Sequence, residues 1–135
     1  MKIKIPVWLW IVIVLETLPM FFGPYLALTR PAVMGGPEAE TINQAAYMYT
    51  ARNFAVGFAF LIASYLRSAP MLFILVFVRL VTDAIDLPTF LTFGLASSPG
   101  RAIGIFVVLY YVPAVVALRY LWGQLKDTSP VSEPA

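Results

Sequence analysis

Three full charges, Arg79, Asp83 and Asp86, stand inside an otherwise apolar run covering residues 69–90. About 20 apolar residues suffice to cross a bilayer as a helix, so a run of this length puts its charges at membrane depth. At about 100° per residue the three share a face, with Asp83 about 40° and Asp86 about 20° to either side of Arg79. Leu72, Val76, Thr82 and Phe90 extend the same stripe. An ionisable group in hydrocarbon is expensive unless it faces protein, water or an opposite charge. The stripe therefore has to point into a bundle.

Composition agrees with a membrane setting. The 135 residues are 61% hydrophobic and only 12% charged, and the mean hydropathy is +0.85, whereas soluble domains carry about 25% charged residues. With no cysteine, thiol–disulfide chemistry, Cys-ligated zinc and iron–sulfur clusters are excluded. With no histidine, a His-ligated haem, a His-based triad and the usual pH switch are excluded too. Chemistry is left to carboxylates, arginine, tyrosine, hydroxyls and the backbone, and no cofactor and no metal are expected. The net charge of +2 is too small to argue for nucleic acid, and no basic patch carries interleaved aromatics.

Four apolar runs predict four transmembrane helices over about residues 6–28, 42–66, 69–90 and 101–122, one domain over residues 1–123, and a disordered cytoplasmic tail over 124–135. Lys2 and Lys4 ahead of the first run imitate a secretory signal. The run is too long for that, holds Glu16, Pro19 and Pro24, and lacks a small-x-small cleavage site. Pro19 frees the carbonyl of Leu15 and predicts a kink one turn beyond Glu16. A polar Pro/Gly-rich loop covers residues 29–40, and Thr41-Ile42-Asn43-Gln44 has the form of a capping box for the second helix. Ala51, Ala55, Ala59 and Ala63 recur every fourth residue, a ridge that lets another helix approach closely. The short turn Arg67-Ser68-Ala69-Pro70 makes helices two and three antiparallel neighbours. Asp86-Leu87-Pro88 and the Gly/Ser/Pro-rich residues 94–100 mark the end of helix three, and Pro113 predicts a kink in helix four.

Four spans put Lys2, Lys4, Arg67, Arg119 and Lys126 on one side of the membrane and Arg30 and Arg101 on the other, which predicts both termini in the cytoplasm. Trp8, Trp10, Tyr65, Tyr120 and Trp122 form an aromatic belt at that face, with Tyr25, Tyr47 and Tyr49 opposite.

At about 1.5 Å of rise per residue, Glu16 and Arg79 both fall roughly 15 Å from the cytoplasmic face, and Arg52 and Asp83 at roughly 21 Å, with Asp86 a turn beyond. Two pairings follow: Glu16 with Arg79, and Arg52 with Asp83 or Asp86. Three acids then face two arginines, and arginine keeps its proton. The acid left over either holds a proton or binds a cationic group. Glu16, Asp83 and Asp86 are thus the candidate catalytic acids, with Arg52, Asn53, Arg79, Tyr49 and Thr82 as candidates for binding or charge pairing. The same charges also serve as polar glue between helices, or as a proton or ion relay, which without an inverted repeat calls for a homo-oligomer. Asp83-x-x-Asp86 is only half of a magnesium-diphosphate motif. Tyr110, Tyr111, Phe58 and Phe60 are expected to pack or to meet lipid.

Arg52-Asn53-Phe54-Ala55-Val56-Gly57, followed by Arg79 and Asp83, resembles the DoxX-like group of small four-helix bacterial membrane proteins. The resemblance covers helices two and three and implies a four-helix bundle in the bacterial inner membrane. In chemical design, buried Glu and Asp beside aromatics also resemble integral membrane sterol isomerases and terpene cyclases, whose acids protonate an olefin or epoxide. The expectation is an all-α integral membrane four-helix bundle that binds a lipid-like or isoprenoid molecule beside a Glu/Asp/Arg network and carries out acid–base isomerisation or cyclisation. The alternative is a non-enzymatic structural subunit or a proton- or ion-coupled carrier.

Overall fold

Each apolar run becomes one helix in the computed structural model, which describes residues 2–30, 44–92 and 98–128. Among the described residues there are four helices and no strand. Helix α1 is Val7–Thr29, α2 is Gln44–Leu66 and α3 is Ala69–Thr92. Helix α4 has an α-helical first part, Pro99–Phe106, a π-helical turn, Val107–Tyr111, and a second α-helical part, Val112–Thr128. The expected capping residues Thr41, Ile42 and Asn43, most of the loop ahead of them and residues 93–97 lie outside the described residues.

The turn between α2 and α3 shows how local chemistry sets the topology. Arg67 takes a left-handed φ of 50°, its N–H donates to the Ser64 carbonyl, and the Ser68 N–H donates to the Ala63 carbonyl, each at 3.2 Å. These two bonds close α2 with a Schellman motif in which arginine stands where glycine is usual. Ser68 then caps α3: its carbonyl accepts from the Leu72 N–H at 3.0 Å, and its hydroxyl accepts weakly from the Met71 N–H at 3.5 Å. Pro70 falls among the first-turn residues whose N–H groups have no intrahelical acceptor, so its missing donor costs nothing. Helix–turn–helix reversal follows within two residues. The chain's start is tied to the same turn, because the Ile3 N–H donates to the Arg67 carbonyl at 2.9 Å and Lys2 bridges to Ser68.

This end of the molecule also receives the end of α4. Trp8 meets Tyr120 edge-on at 5.2 Å, and Phe73 meets Trp122 at 5.6 Å. The start of α1, the end of α2, the start of α3 and the end of α4 therefore share one end, an up-down-up-down arrangement. The core lies toward this end and draws on all four helices, with Leu9 and Ile13, Phe60 and Ala63, Leu72 and Val76, and Ala117 and Leu121 buried. Along α3 the buried residues are Ala69, Leu72, Val76, Arg79, Asp83 and Leu87, one stripe at three- and four-residue spacing. On α1 the stripe is Leu9, Ile13, Glu16, Met20, Gly23 and Ala27.

Two sequence expectations are corrected. The alanine ridge serves only in part: Ala63 is buried in the core, whereas Ala51 and Ala55 are exposed. Helix α1 packs closely on α2 at Gly57, where an added Cβ would lie 2.8 Å from the Phe21 ring and 3.1 Å from Met20 Cβ. Gly57→Ala is expected to destabilise by about 1–3 kcal/mol through overpacking. Gly104→Ala, where nothing lies within 4 Å, is expected to stabilise by up to about 1 kcal/mol; unfolding curves of the two variants should move in opposite directions. Second, residues 124–128 are helical rather than tail: Leu125 packs on the core and Lys126 Nζ sits 5.7 Å over the Trp122 ring. Helix α3, expected over about residues 69–90, spans Ala69–Thr92 and passes through Pro88, and α1 is continuous through Pro19 and Pro24.

Two helices, Val7–Thr29 and Pro99–Asp127, are long and apolar enough to cross a membrane. The other two are interrupted by Arg52 and Asn53 on α2 and by Arg79, Asp83 and Asp86 on α3. Large apolar side chains nonetheless face outward on every helix, among them Leu18 and Phe22, Phe58 and Ile62, Phe77 and Ile85, and Val108 and Val112.

Candidate functional site

The inward stripes of α1 and α3 bring their charges together. Glu16 is 0%, Arg79 4% and Asp83 3% exposed. Arg79 Nη2 lies 2.9 Å from Asp83 Oδ1 one turn along its own helix, and Arg79 Nε lies 3.3 Å from Glu16 Oε2 across the helix interface. One guanidinium thus holds two carboxyl groups, one more acid than it can neutralise if both are ionised. Both oxygens of Glu16 and Oδ2 of Asp83 have no hydrogen-bond partner among the described residues. Taking an ionised carboxylate out of water costs several kcal/mol even after relaxation, so burying these oxygens is costly.

The expected pair of Glu16 with Arg79 is formed, and that of Arg52 with Asp83 or Asp86 is not. Asp83 is taken by Arg79 at the favourable i,i+4 spacing. Arg52 is exposed, while its neighbour Asn53 occupies the inward position and donates from Nδ2 to the Tyr49 carbonyl at 2.7 Å. Asp86, half-buried, has no ion pair among the described residues. Thr82 turns its hydroxyl back to the Val78 carbonyl at 2.8 Å.

Two cavities adjoin this network. The first, of about 580 Å³, lies between α1, α3 and α4, and Leu18, Phe22, Leu26, Ile105 and Phe106 supply much of its apolar wall. Its polar wall is Arg79, Asp83 and Asp86 with Tyr49, Asn53 and Tyr110. That volume is in the range of pockets that hold a small molecule. The second, of about 510 Å³, lies between α2 and α3 and is lined by Arg52, Thr82 and Asp86 among others. Tyr49, Asn53, Arg79 and Asp86 border both. Glu16 lines neither; it sits behind Arg79 and fixes the guanidinium from the far side.

Sequence reasoning assigned Tyr110 and Tyr111 to packing or lipid. In the structure Tyr110 lines the first cavity, and the Tyr111 hydroxyl donates to the Asp83 carbonyl at 2.7 Å. The signal was Pro113. It cannot donate to the carbonyl four residues back and crowds it, and the helix answers with a wider turn closed by the Val112 N–H to the Val107 carbonyl. Gly23 was also missed; a Cβ there would collide with the Tyr49 hydroxyl, so its bareness lets Tyr49 reach the cavity. Chemically, the first cavity offers an apolar, aromatic chamber with two carboxylates and one arginine on one wall, suited to moving a proton on an apolar molecule. Compared with protein-family models, with curated proteins and with solved structures, the chain matches none.

Proposed function

We propose that the chain is an integral membrane protein, a four-helix bundle with both termini in the cytoplasm of a bacterium, related to the DoxX-like group. Outward-facing apolar side chains on all four helices, together with Glu16, Arg79 and Asp83 buried inside, support the membrane placement. Lys2, Lys4, Arg67, Arg119 and Lys126 belong to the end that also holds Trp8, Tyr120 and Trp122, in keeping with the positive-inside rule. Its function is to bind a lipid-like or isoprenoid molecule in the first cavity and to isomerise or cyclise it by proton transfer.

The observation that carries this proposal is the unpartnered Oδ2 of Asp83 at the wall of an apolar, aromatic chamber. Asp83 and Asp86 act on the ligand as proton donor and acceptor, and Phe106 and Tyr110 face any positive charge that develops. Arg79 and Glu16 hold Asp83 in place. A carrier using the same charges draws on the meeting of the two cavities at Arg79 and Asp86.

The test is to extract the purified protein with organic solvent and identify what leaves it, then to reconstitute the protein in liposomes. A co-purifying apolar compound that the protein converts supports the enzyme. Proton flux without conversion supports the carrier.

A further inference from the structure

The second cavity has a charge pattern of its own. Arg52 on α2 and Asp86 on α3 both line it, yet no ion pair joins them. Arg79 lines the cavity as well, but its guanidinium is already drawn onto Glu16 and Asp83. Opposite charges flanking one chamber without meeting are complementary to a molecule that carries both signs. A simple anion would satisfy Arg52 and crowd Asp86, whereas a cation would do the reverse. The rest of the wall is largely apolar, including Val78, Val81 and Ile85 on one side and Ala55 and Val56 on the other, which suits a chain rather than a free solute.

We infer that the second cavity, between Arg52 and Asp86, binds a zwitterionic amphiphile, its anionic group on the Arg52 guanidinium and its cationic group on the Asp86 carboxylate. A phosphate suits the planar fork of arginine. A primary ammonium, with three N–H donors, suits a carboxylate better than a quaternary one that donates nothing. Phosphatidylethanolamine has this chemistry, with its acyl chains along Val78, Val81 and Ile85. The inference rests on the membrane placement proposed above and not on the proton chemistry of the first cavity.

The test is native mass spectrometry of the detergent-purified protein titrated with phosphatidylethanolamine, phosphatidylglycerol and soluble O-phosphoethanolamine. Phosphatidylethanolamine is expected to bind roughly tenfold or more tighter than phosphatidylglycerol, a difference in keeping with charge-assisted hydrogen bonds. Arg52→Gln should lower its affinity by a similar factor, and Arg52→Lys should restore part of it. Asp86→Asn should abolish the preference between the two lipids. O-phosphoethanolamine binding as tightly as the lipid would overturn the amphiphile in favour of a free zwitterion. Equal binding of both lipids by the unaltered protein, or variants without effect on preference, would overturn the inference altogether. Asp83 separates the two readings, since it lines only the first cavity. Failure of lipid preference while conversion still depends on Asp83 removes this inference alone. A chain that stays in solution without detergent removes the membrane placement and this inference with it.

Discussion

Arg79→Met is expected to destabilise the protein by about 3–5 kcal/mol, the usual cost of stranding a buried charge by removing its partner. Two acids are stranded here, because the 2.9 Å contact to Asp83 and the 3.3 Å contact to Glu16 both belong to one guanidinium. Methionine fills much of the stem's volume, so packing loss is a minor part of the effect. The triple variant Arg79→Met, Glu16→Gln, Asp83→Asn should recover most of the loss, since a buried ionic group replaced as a whole by neutral residues is often nearly neutral. Arg52→Met supplies the contrast. Its side chain is exposed and makes no ion pair among the described residues, so the change should stay within about 0.5 kcal/mol. Tryptophan fluorescence during denaturant titration in detergent measures all three. Equal stabilities of Arg79→Met and Arg52→Met would show that the network adds nothing to the fold.

Asp83→Asn is expected to lower conversion of the bound apolar molecule by roughly 10²–10⁴, the usual contribution of a positioned proton-transfer group. Asparagine keeps the shape and can still meet Arg79 through its carbonyl oxygen, so the fold should survive. Asp86→Asn should lose conversion as well, because both carboxylates line the first cavity. Glu16→Gln acts differently. Glu16 lines neither cavity and works through Arg79, so its loss should alter stability and the pH profile of conversion more than the binding of the ligand. If instead all three variants unfold alike and ligand content falls in step with folded protein, the carboxylates serve only to lock the helices in register.

Much of this was legible from spacing alone. Arg79 and Asp83 stand one turn apart inside an apolar run, and helical geometry puts them on one face whatever surrounds them. Glu16 at the same depth on a neighbouring helix then had one arginine within reach. Arg52 was harder, because its depth is fixed by the rise per residue but its direction depends on how α2 is turned about its axis. Gly57 admits Phe21 and Met20 at the contact with α1, and in that rotation Arg52 lies on the outside. The part played by Tyr111 hangs on a π-turn, which arises from the conflict between Pro113 and the preceding turn rather than from any periodicity. Residues 124–128 read as tail because they are polar, yet Leu125 on the core and Lys126 over Trp122 keep the helix going.

Lipid around the outward faces is the premise on which the buried network, both cavities and their ligands depend, and the absence of native cysteine makes it directly measurable. Phe77 is 51% and Val108 66% exposed on the outer faces of α3 and α4, while Lys4 is exposed near the start of the chain. Single variants Lys4→Cys, Phe77→Cys and Val108→Cys should be treated with a water-soluble maleimide in permeabilised membrane vesicles. Rapid labelling at residue 4, with residues 77 and 108 protected until the membrane is dissolved and the chain denatured, is the predicted result. Labelling of residues 77 and 108 as fast as residue 4 would contradict it.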